Sequence, residues 1–193
     1  HCGDSLPYKL PVVVSGIKYP NEKLMSKLPN VCGYTSKIDF IHLLENAHRI
    51  FPNRTEVVCV SDSSLLGLRG VSELERMWPV YQKLHPEYKL KVMNVQAQAP
   101  NPVIASICYD YNAYNRIVIA PKWTPFLSFI GKNSKAPVFA GQSLALTNGV
   151  FCVHDMEPYE GASAAGKCAA QVLQGATPSV IGVMDLPGKM LYD

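Results

Sequence analysis

Small polar and aromatic side chains follow several apolar runs of this sequence, at the points where buried strands should end. Ser61 to Ser64 follows Glu56 to Val60, and His154-Asp155 follows Val150 to Val153. Such strand ends are where α/β proteins hold small ligands, with a few hydrogen-bonding groups over an apolar wall. The same residues also suit ordinary turns and helix N-caps. The residues that we select as candidates for ligand binding are Ser61, Asp62, Ser63, Trp123, Gln142 and Asp155.

Two kinds of recognition follow from these side chains. Backbone N–H groups at a helix start after Asp62 and Ser63 can hold a carboxylate or another anion. The ring of Trp123 can stack on a ring or a sugar, or it can simply cover the sheet edge. These residue types fit a site for a small polar molecule, and they do not identify that molecule.

Catalytic and metal-binding patterns are absent from the sequence. The five histidines show no HExxH or other paired ligand spacing, and there is no phosphate-binding glycine loop and no GxSxG elbow. We therefore predict no catalytic residue, no metal ligand and no cofactor in this segment. His154 and Asp155 remain an alternative, as the acid–base pair of a hydrolase or transferase. Adjacent residues on a strand point to opposite faces, which argues against that pair.

Strand and helix patterns alternate along most of the chain, which predicts a parallel sheet with helices on both of its faces. The segment 30–36, NVCGYTS, is extended and broken by a glycine, as a hinge or crossing segment would be. The predicted strands are 11–16, 56–60, 89–95, 116–120, 137–140, 150–153, 179–184 and 189–193. The predicted helices are 21–27, 37–51 with Ser36 and Asp39 as a capping pair, 66–85, 101–111, 124–129 and 157–175.

Composition sets further limits on function. The chain has 193 residues, with 48% apolar residues, 17% charged residues and a net charge of +3, which describes a folded globular chain. No basic run or basic-aromatic stripe occurs, so we expect no nucleic-acid partner.

No apolar run is long enough to span a bilayer, and His1 is not an initiator methionine, so we expect a fragment or a processed product. The six cysteines lack metal-like spacing; we expect small buried residues, and one disulfide stays open.

Three phrases of the sequence carry a resemblance to a known family. They are LPVVVSGI at 10–17, LPNVCGYTSKIDFIHLLENAHRIFPNRTEVVCVSDSS at 28–64, and PVFAGQSLALTNGVFCVHDMEPYEGASAAGKCAAQVLQGATPS at 137–179. In this order they resemble the type I periplasmic-binding fold. The branch is that of ABC-transporter substrate-binding proteins, shared with extracytoplasmic sensor domains of bacterial two-component histidine kinases. The match covers residues 10–193.

The resemblance implies a division of the chain into two parts. In that branch a segment like NVCGYTS crosses between two lobes, and ligand binds in the cleft between them. Only ten residues precede PVVVSG here, where family members place much of a first lobe. We therefore expect 1–33 to be a remnant of the first lobe with the hinge crossing, and 34–193 to be the second α/β lobe. The expected architecture is one three-layer lobe of the type I periplasmic-binding fold, a parallel sheet with helices on both faces. The first of the two lobes of that fold is expected to be largely missing.

The function that the resemblance implies is non-catalytic binding of a small polar ligand, of the amino acid or sugar class, outside the cytoplasm or in the periplasm. The ending GKMLYD is similar to that of the sensor members, which favours a sensor domain of a membrane-bound histidine kinase. The alternatives are a substrate-binding protein of an ABC transporter, the hydrolase or transferase described above, and a structural lobe that binds nothing. The partners would be the rest of a receptor or a transporter, with a homodimer left open.

Overall fold

The computed structural model describes residues 10–95 and 102–193, and the chain within them is of the α/β class. The strands are β1 Val12–Ile17, β2 Val31–Thr35, β3 Glu56–Ser61, β4 Lys89–Asn94, β5 Arg116–Ala120, β6 Val138–Ala140, β7 Cys152–Asp155, β8 Val183–Asp185 and β9 Lys189–Tyr192. The α-helices are α1 Glu22–Met25, α2 Phe40–Ile50, α3 Leu65–Leu84, α4 Pro102–Tyr109, α5 Pro125–Asn133, α6 Pro158–Leu173 and α7 Pro178–Ile181. Short 3₁₀ helices cover Tyr111–Asn115 and Ser143–Asn148.

The chain forms two compact units. Unit 1 contains the residues up to Lys37 together with Met156–Gly188, and unit 2 contains Ile38–Asp155 and Lys189–Asp193. The chain therefore passes from one unit to the other after Lys37, after Asp155 and after Gly188. This division differs from the one expected at residues 33 and 34. Met156–Gly188 groups with unit 1 because α6 packs on β1 and β2, and β8 pairs with β2.

Unit 1 is built on a parallel three-stranded sheet in the order β1-β2-β8. The segment 30–36, expected to be a hinge crossing, contains the central strand of this sheet, because β2 pairs on both of its edges. Helix α6 covers β1 and β2, and Cys168 of α6 lies with its Sγ 3.1 Å from Sγ of Cys32 in the buried interior.

Unit 2 is built on a six-stranded sheet in the order β4-β3-β5-β6-β7-β9. The strands from β4 to β7 are parallel, and β9 runs antiparallel to β7. Val58, Val60 and Val118 belong to the buried cluster that also contains residues of α4 and α5. Val57 and Ile117 alternate with them, point to the opposite face and are equally buried. The strands therefore read as continuous apolar runs because both sheet faces are covered.

Most of the predicted elements lie within a few residues of the observed ones, and the exceptions have local causes. Helix α2 begins at Phe40, since Asp39 alone is its N-cap and accepts a hydrogen bond from N–H of His42 (2.9 Å). The expected strand 179–184 is instead helix α7 followed by β8, because Pro178 starts a helical turn. Strand β7 extends through His154 and Asp155. Residue 101, the expected start of α4, lies outside the described residues.

Two predictions from composition, on the cysteines and on membrane-spanning segments, can be compared with the structure. Five of the six cysteines are described, and all five are buried, as predicted; Cys2 lies outside the described residues. In the described parts of the chain, no helix has both the length and the hydrophobicity needed to cross a bilayer.

Gly33 in β2 offers a test of the unit 1 sheet. Its φ is +127°, and a Cβ there would overlap the backbone of Val14 and lie 2.8 Å from the Val14 nitrogen. We expect Gly33→Ala to lower the free energy of unfolding by at least about 2 kcal/mol, because strained backbone and a steric overlap add. Urea unfolding followed by circular dichroism measures this change.

Gly166 in α6 is the matched control, because nothing lies within 4 Å of a Cβ built there. Gly166→Ala should raise stability by roughly 0.5–1 kcal/mol, since alanine favours a helix interior. Equal effects of the two substitutions would contradict the close approach of β2 to Val14.

Candidate ligand-binding site

The register of the parallel strands in unit 2 brings the predicted site residues to one edge. Val60 pairs with Met93 across β3 and β4, Ala120 pairs with Ala140, and Ala140 pairs with Val153. The residues that follow this row therefore leave the sheet side by side, at its carboxyl edge. All six selected residues lie there. We call the set Ser61, Asp62, Ser63, Lys122, Trp123, Gln142 and Asp155 the strand-end rim.

Asp62 and Lys122 join the ends of β3 and β5. The Lys122 Nζ donates to Oδ2 of Asp62 (2.9 Å) and to Oγ of Ser64 (2.8 Å), and about a fifth of each charged side chain is exposed. Oδ1 of Asp62 accepts from the backbone N–H of Ser64 (3.0 Å) and from its hydroxyl. Two of the three ammonium N–H groups are used, and the third has no partner among the described residues.

The charge of Asp62 is set by two opposing effects. Burial raises the pKa of this carboxyl. Hydrogen bonds from Ser64 and Lys122 and the charge of Lys122 together lower the pKa by more than burial raises it, so the net pKa is below its ordinary value. Asp62 is therefore a carboxylate at neutral pH, and it holds Lys122 in place as a cation.

Ser61 and Gly67 show how closely α3 approaches the end of β3. The Ser61 Oγ is buried and has no hydrogen-bond partner among the residues that the structure describes. A Cβ at Gly67 would lie 2.7 Å from that oxygen and 2.5 Å from Oδ1 of Asp62. Because Gly67 has no Cβ, the backbone of α3 can approach Ser61 and Asp62 this closely. The first turn of α3 therefore lies against the rim. Ser64 caps that turn by accepting from N–H of Gly67 (3.1 Å).

Two further contacts continue the rim on either side. Ser63 Oγ accepts from the Asn94 amide at the end of β4 (2.9 Å). Gln142, after β6, accepts with Oε1 from the backbone N–H of Trp123, after β5 (2.6 Å). The Trp123 ring packs against the apolar core, and its buried Nε1 has no hydrogen-bond partner in residues 10–95 and 102–193. Trp123 is therefore mainly a wall of the rim.

Asp155 and His154 close the rim at the end of β7. Oδ2 of Asp155 accepts from the backbone N–H of Ser143 (2.6 Å), and Asp155 is only 7% exposed. His154 is buried, and its Nδ1 accepts from the backbone N–H of Asp39 (3.3 Å). The two adjacent side chains thus have different backbone partners, in line with the alternation of side chains on a strand.

Sequence reasoning did not select Lys122 or Asn94. Lys122 lies between the end of β5 and Trp123, so its position at a strand end was the available signal for a site residue. Its pairing with Asp62 could not be predicted from the sequence. Asn94 is the last residue of an edge strand, and only the parallel register of β3 and β4 shows that it meets Ser63.

Comparison with known proteins defines the class of fold. The chain has the type I periplasmic-binding-protein fold of ABC-transporter substrate-binding proteins. No protein-family model matches the sequence. The sequence also matches no curated protein.

The particular similar structures share little sequence with this chain. An ABC domain from Streptococcus pneumonia in complex with L-Trp has 16% identity and a TM-score of 0.73, and the match covers 96% of this chain and 66% of that one. A ligand-free, open substrate-binding protein with adhesive properties from Clostridium difficile has 16% identity, a TM-score of 0.68 and coverage of 96% and 65%.

A third structure is an ABC transporter solute-binding protein from Agrobacterium vitis with bound allitol. It has 15% identity and a TM-score of 0.52, and the match covers 86% of this chain and 68% of that one. The chain spans just under two thirds of the Streptococcus and Clostridium proteins that it matches.

The Asp62–Lys122 pair can be tested through the pH dependence of stability. Because the pKa of Asp62 is lowered on folding, the stabilisation is present above the ordinary carboxyl pKa and is lost as pH falls through the folded-state value. We expect Asp62→Asn to cost roughly 1 kcal/mol at pH 7 and nearly nothing near the acid end of the folded range. Urea unfolding at a series of pH values measures the difference.

Glu75→Gln is the matched control for this series, because Glu75 is exposed on α3. A double-mutant cycle with Lys122→Met should give a favourable coupling with Asp62 at pH 7. A coupling of zero, or an Asp62→Asn cost that does not change with pH, would contradict the pairing.

Proposed function

We propose that this chain is a non-catalytic binding domain that holds a small polar molecule at the strand-end rim. The observation that carries the proposal is a set of three hydrogen bonds. One joins the ends of β4 and β3, one joins the ends of β3 and β5, and one joins the loops that follow β5 and β6. This arrangement orients polar groups at the carboxyl edge of a parallel sheet, where α/β folds bind ligands. The type I fold supports the same interpretation.

The rim has N–H donors at one end and a carboxylate at the other, which supports a zwitterionic ligand. The donors are the remaining ammonium N–H of Lys122, whose charge is paired with Asp62, and the first-turn N–H groups of Leu65 and Leu66, since those of Ser64 and Gly67 already have side-chain acceptors. Such donors suit a carboxylate. At the other end is the Asp155 carboxylate, which already accepts from the backbone N–H of Ser143 and whose negative charge suits an ammonium group. An amino acid fits this pattern better than a sugar does.

The proposed setting of the domain is outside the cytoplasm, in one of two roles. A sensor domain of a membrane-bound histidine kinase is supported by the similarity of the ending GKMLYD to sensor members. A substrate-binding protein of an ABC transporter is supported by several of the similar structures, which include an ABC domain, an ABC sugar transporter subunit and an ABC transporter solute-binding protein. A gene that continues into a transmembrane helix and a kinase would decide for the sensor.

The binding proposal is tested by thermal unfolding of the full chain with a panel of L-amino acids, sugars and small carboxylates. A compound at about a hundred times its dissociation constant should add roughly 2.7 kcal/mol, which is a shift of a few degrees. We expect the shift from amino acids, and we expect Lys122→Met to remove it because the cation that meets the carboxylate is lost.

Lys132→Met is the matched control, because Lys132 is an exposed lysine in the last turn of α5. It should leave the ligand-induced shift unchanged. A shift that survives Lys122→Met and Asp155→Asn would place binding elsewhere. The absence of any shift across the panel would contradict binding by this chain.

A further inference from the structure

A cluster of histidine and glutamate side chains lies at the opposite end of α3 from the strand-end rim. His48 comes from α2, and His85 and Glu87 follow the last turn of α3. Each offers one atom that can bind a metal, and these atoms all lie within 4.8 Å of one another. Helix α3 has 20 residues, so roughly 30 Å separates this cluster from the rim. The two sites are distinct parts of unit 2.

The hydrogen bonds of His85 prepare one of its nitrogens for a cation. Nε2 lies 2.8 Å from Oε1 of Glu45, and a carboxylate only accepts, so Nε2 carries a proton. Nδ1 faces Oε1 of Glu87 at 3.9 Å. The Nδ1 nitrogen and the Glu87 carboxylate oxygen are both atoms that can bind a metal ion.

His48 has a corresponding partner on its other side. Its Nδ1 lies 2.7 Å from the hydroxyl of Tyr88, a fully buried residue, and this contact engages one of the two ring nitrogens. Histidine ligands in metal sites usually hold their second nitrogen in this way, through a carboxylate or another oxygen. Glu45 and Tyr88 therefore supply the supporting contacts that a built site requires.

The aromatic packing around the two imidazoles limits their motion. The ring centroids of His48 and His85 are 4.5 Å apart, and the ring centroids of Tyr81 and His85 are 4.6 Å apart. Only 16% of the His85 side chain is exposed, whereas half of the Glu87 side chain is. Tetrahedral zinc with bonds of about 2.0–2.1 Å needs ligand atoms roughly 3.4 Å apart. The ligand atoms must therefore move closer together on binding, and the exposed Glu87 side chain is the one of the three with most room to rotate.

We propose that His48, His85 and Glu87 bind a divalent transition-metal ion of the zinc type. Two imidazoles and one carboxylate match the ligands that zinc prefers, whereas magnesium and calcium prefer sites made of oxygen alone. With three protein ligands, a fourth position stays open to water. The bound ion ties α2 to the end of α3. No sequence pattern indicates this site, because His48 and His85 are far apart in the chain.

The test uses the full chain without an affinity tag, stripped of metal with a chelator. His1 and Cys2 are replaced by Ser in the background, because both residues are metal-binding groups themselves. Zn²⁺ is titrated by calorimetry, and Co²⁺ is added in parallel because tetrahedral Co²⁺ shows intense visible absorption. We expect one ion per chain, a tetrahedral Co²⁺ spectrum, and displacement of Co²⁺ by Zn²⁺.

Substitutions assign the ligands. His48→Gln and Glu87→Gln should each weaken Zn²⁺ binding at least tenfold, and Glu45→Gln, which removes only the support of His85, should weaken it about 10- to 100-fold. His42→Gln is the matched control, because His42 is an exposed histidine on the same helix. Glu87 is exposed, so its variant keeps the fold even if the His48 variant does not.

Two outcomes would overturn the metal site. One is the absence of stoichiometric Zn²⁺ binding to the parent chain, which would leave the contacts of His85 with Glu45 and Glu87 with a structural role alone. The other is binding that is unchanged in the Glu87→Gln and Glu45→Gln variants, which would place the ion elsewhere. Neither outcome depends on the amino-acid panel, so the metal site and the proposed ligand binding succeed or fail separately.

Discussion

The parallel register of four strands in unit 2 is the constraint on which the rest of the site depends. Ala120, Ala140 and Val153 lie in one hydrogen-bonded row, and Val60 joins it through the pairing of β3 with β5. A slip of one residue would turn each buried side chain to the other face and separate Asp62 from Lys122. Because both faces are packed with apolar residues, such a slip would cost much of the core, and the rim geometry is correspondingly secure.

The two edges of this sheet use charge differently. At the amino edge Arg116, which is 7% exposed, pairs with Glu56 at 2.6 Å and Asp110 at 2.7 Å, and Arg54 donates to backbone carbonyls. These groups satisfy one another and fix the start of β5. At the carboxyl edge one N–H of Lys122 has no acceptor within the described parts of the chain. A structural role is sufficient for the charged groups at the first edge, and the second edge is where we propose that the ligand binds.

Local patterns predicted the elements well, because apolar runs and helical periodicity are properties of short segments. The six selected residues reached one edge because the carboxyl ends of parallel strands must do so. Contacts between distant segments were not predictable: the pairing of Lys122 with Asp62, the return of Met156–Gly188 to unit 1, and the approach of His48 to His85. Each depends on register or packing between elements that the sequence does not encode locally.

The most direct test of the account is amide chemical-shift mapping of the ¹⁵N-labelled full chain with a saturating mixture of L-amino acids. Binding at the strand-end rim predicts that the largest changes occur at Leu65, Leu66, Trp123 and Ser143, whose N–H groups lie at the rim. Changes confined to other parts of the chain, or no changes at all, would contradict the central claim that this sheet edge binds the ligand.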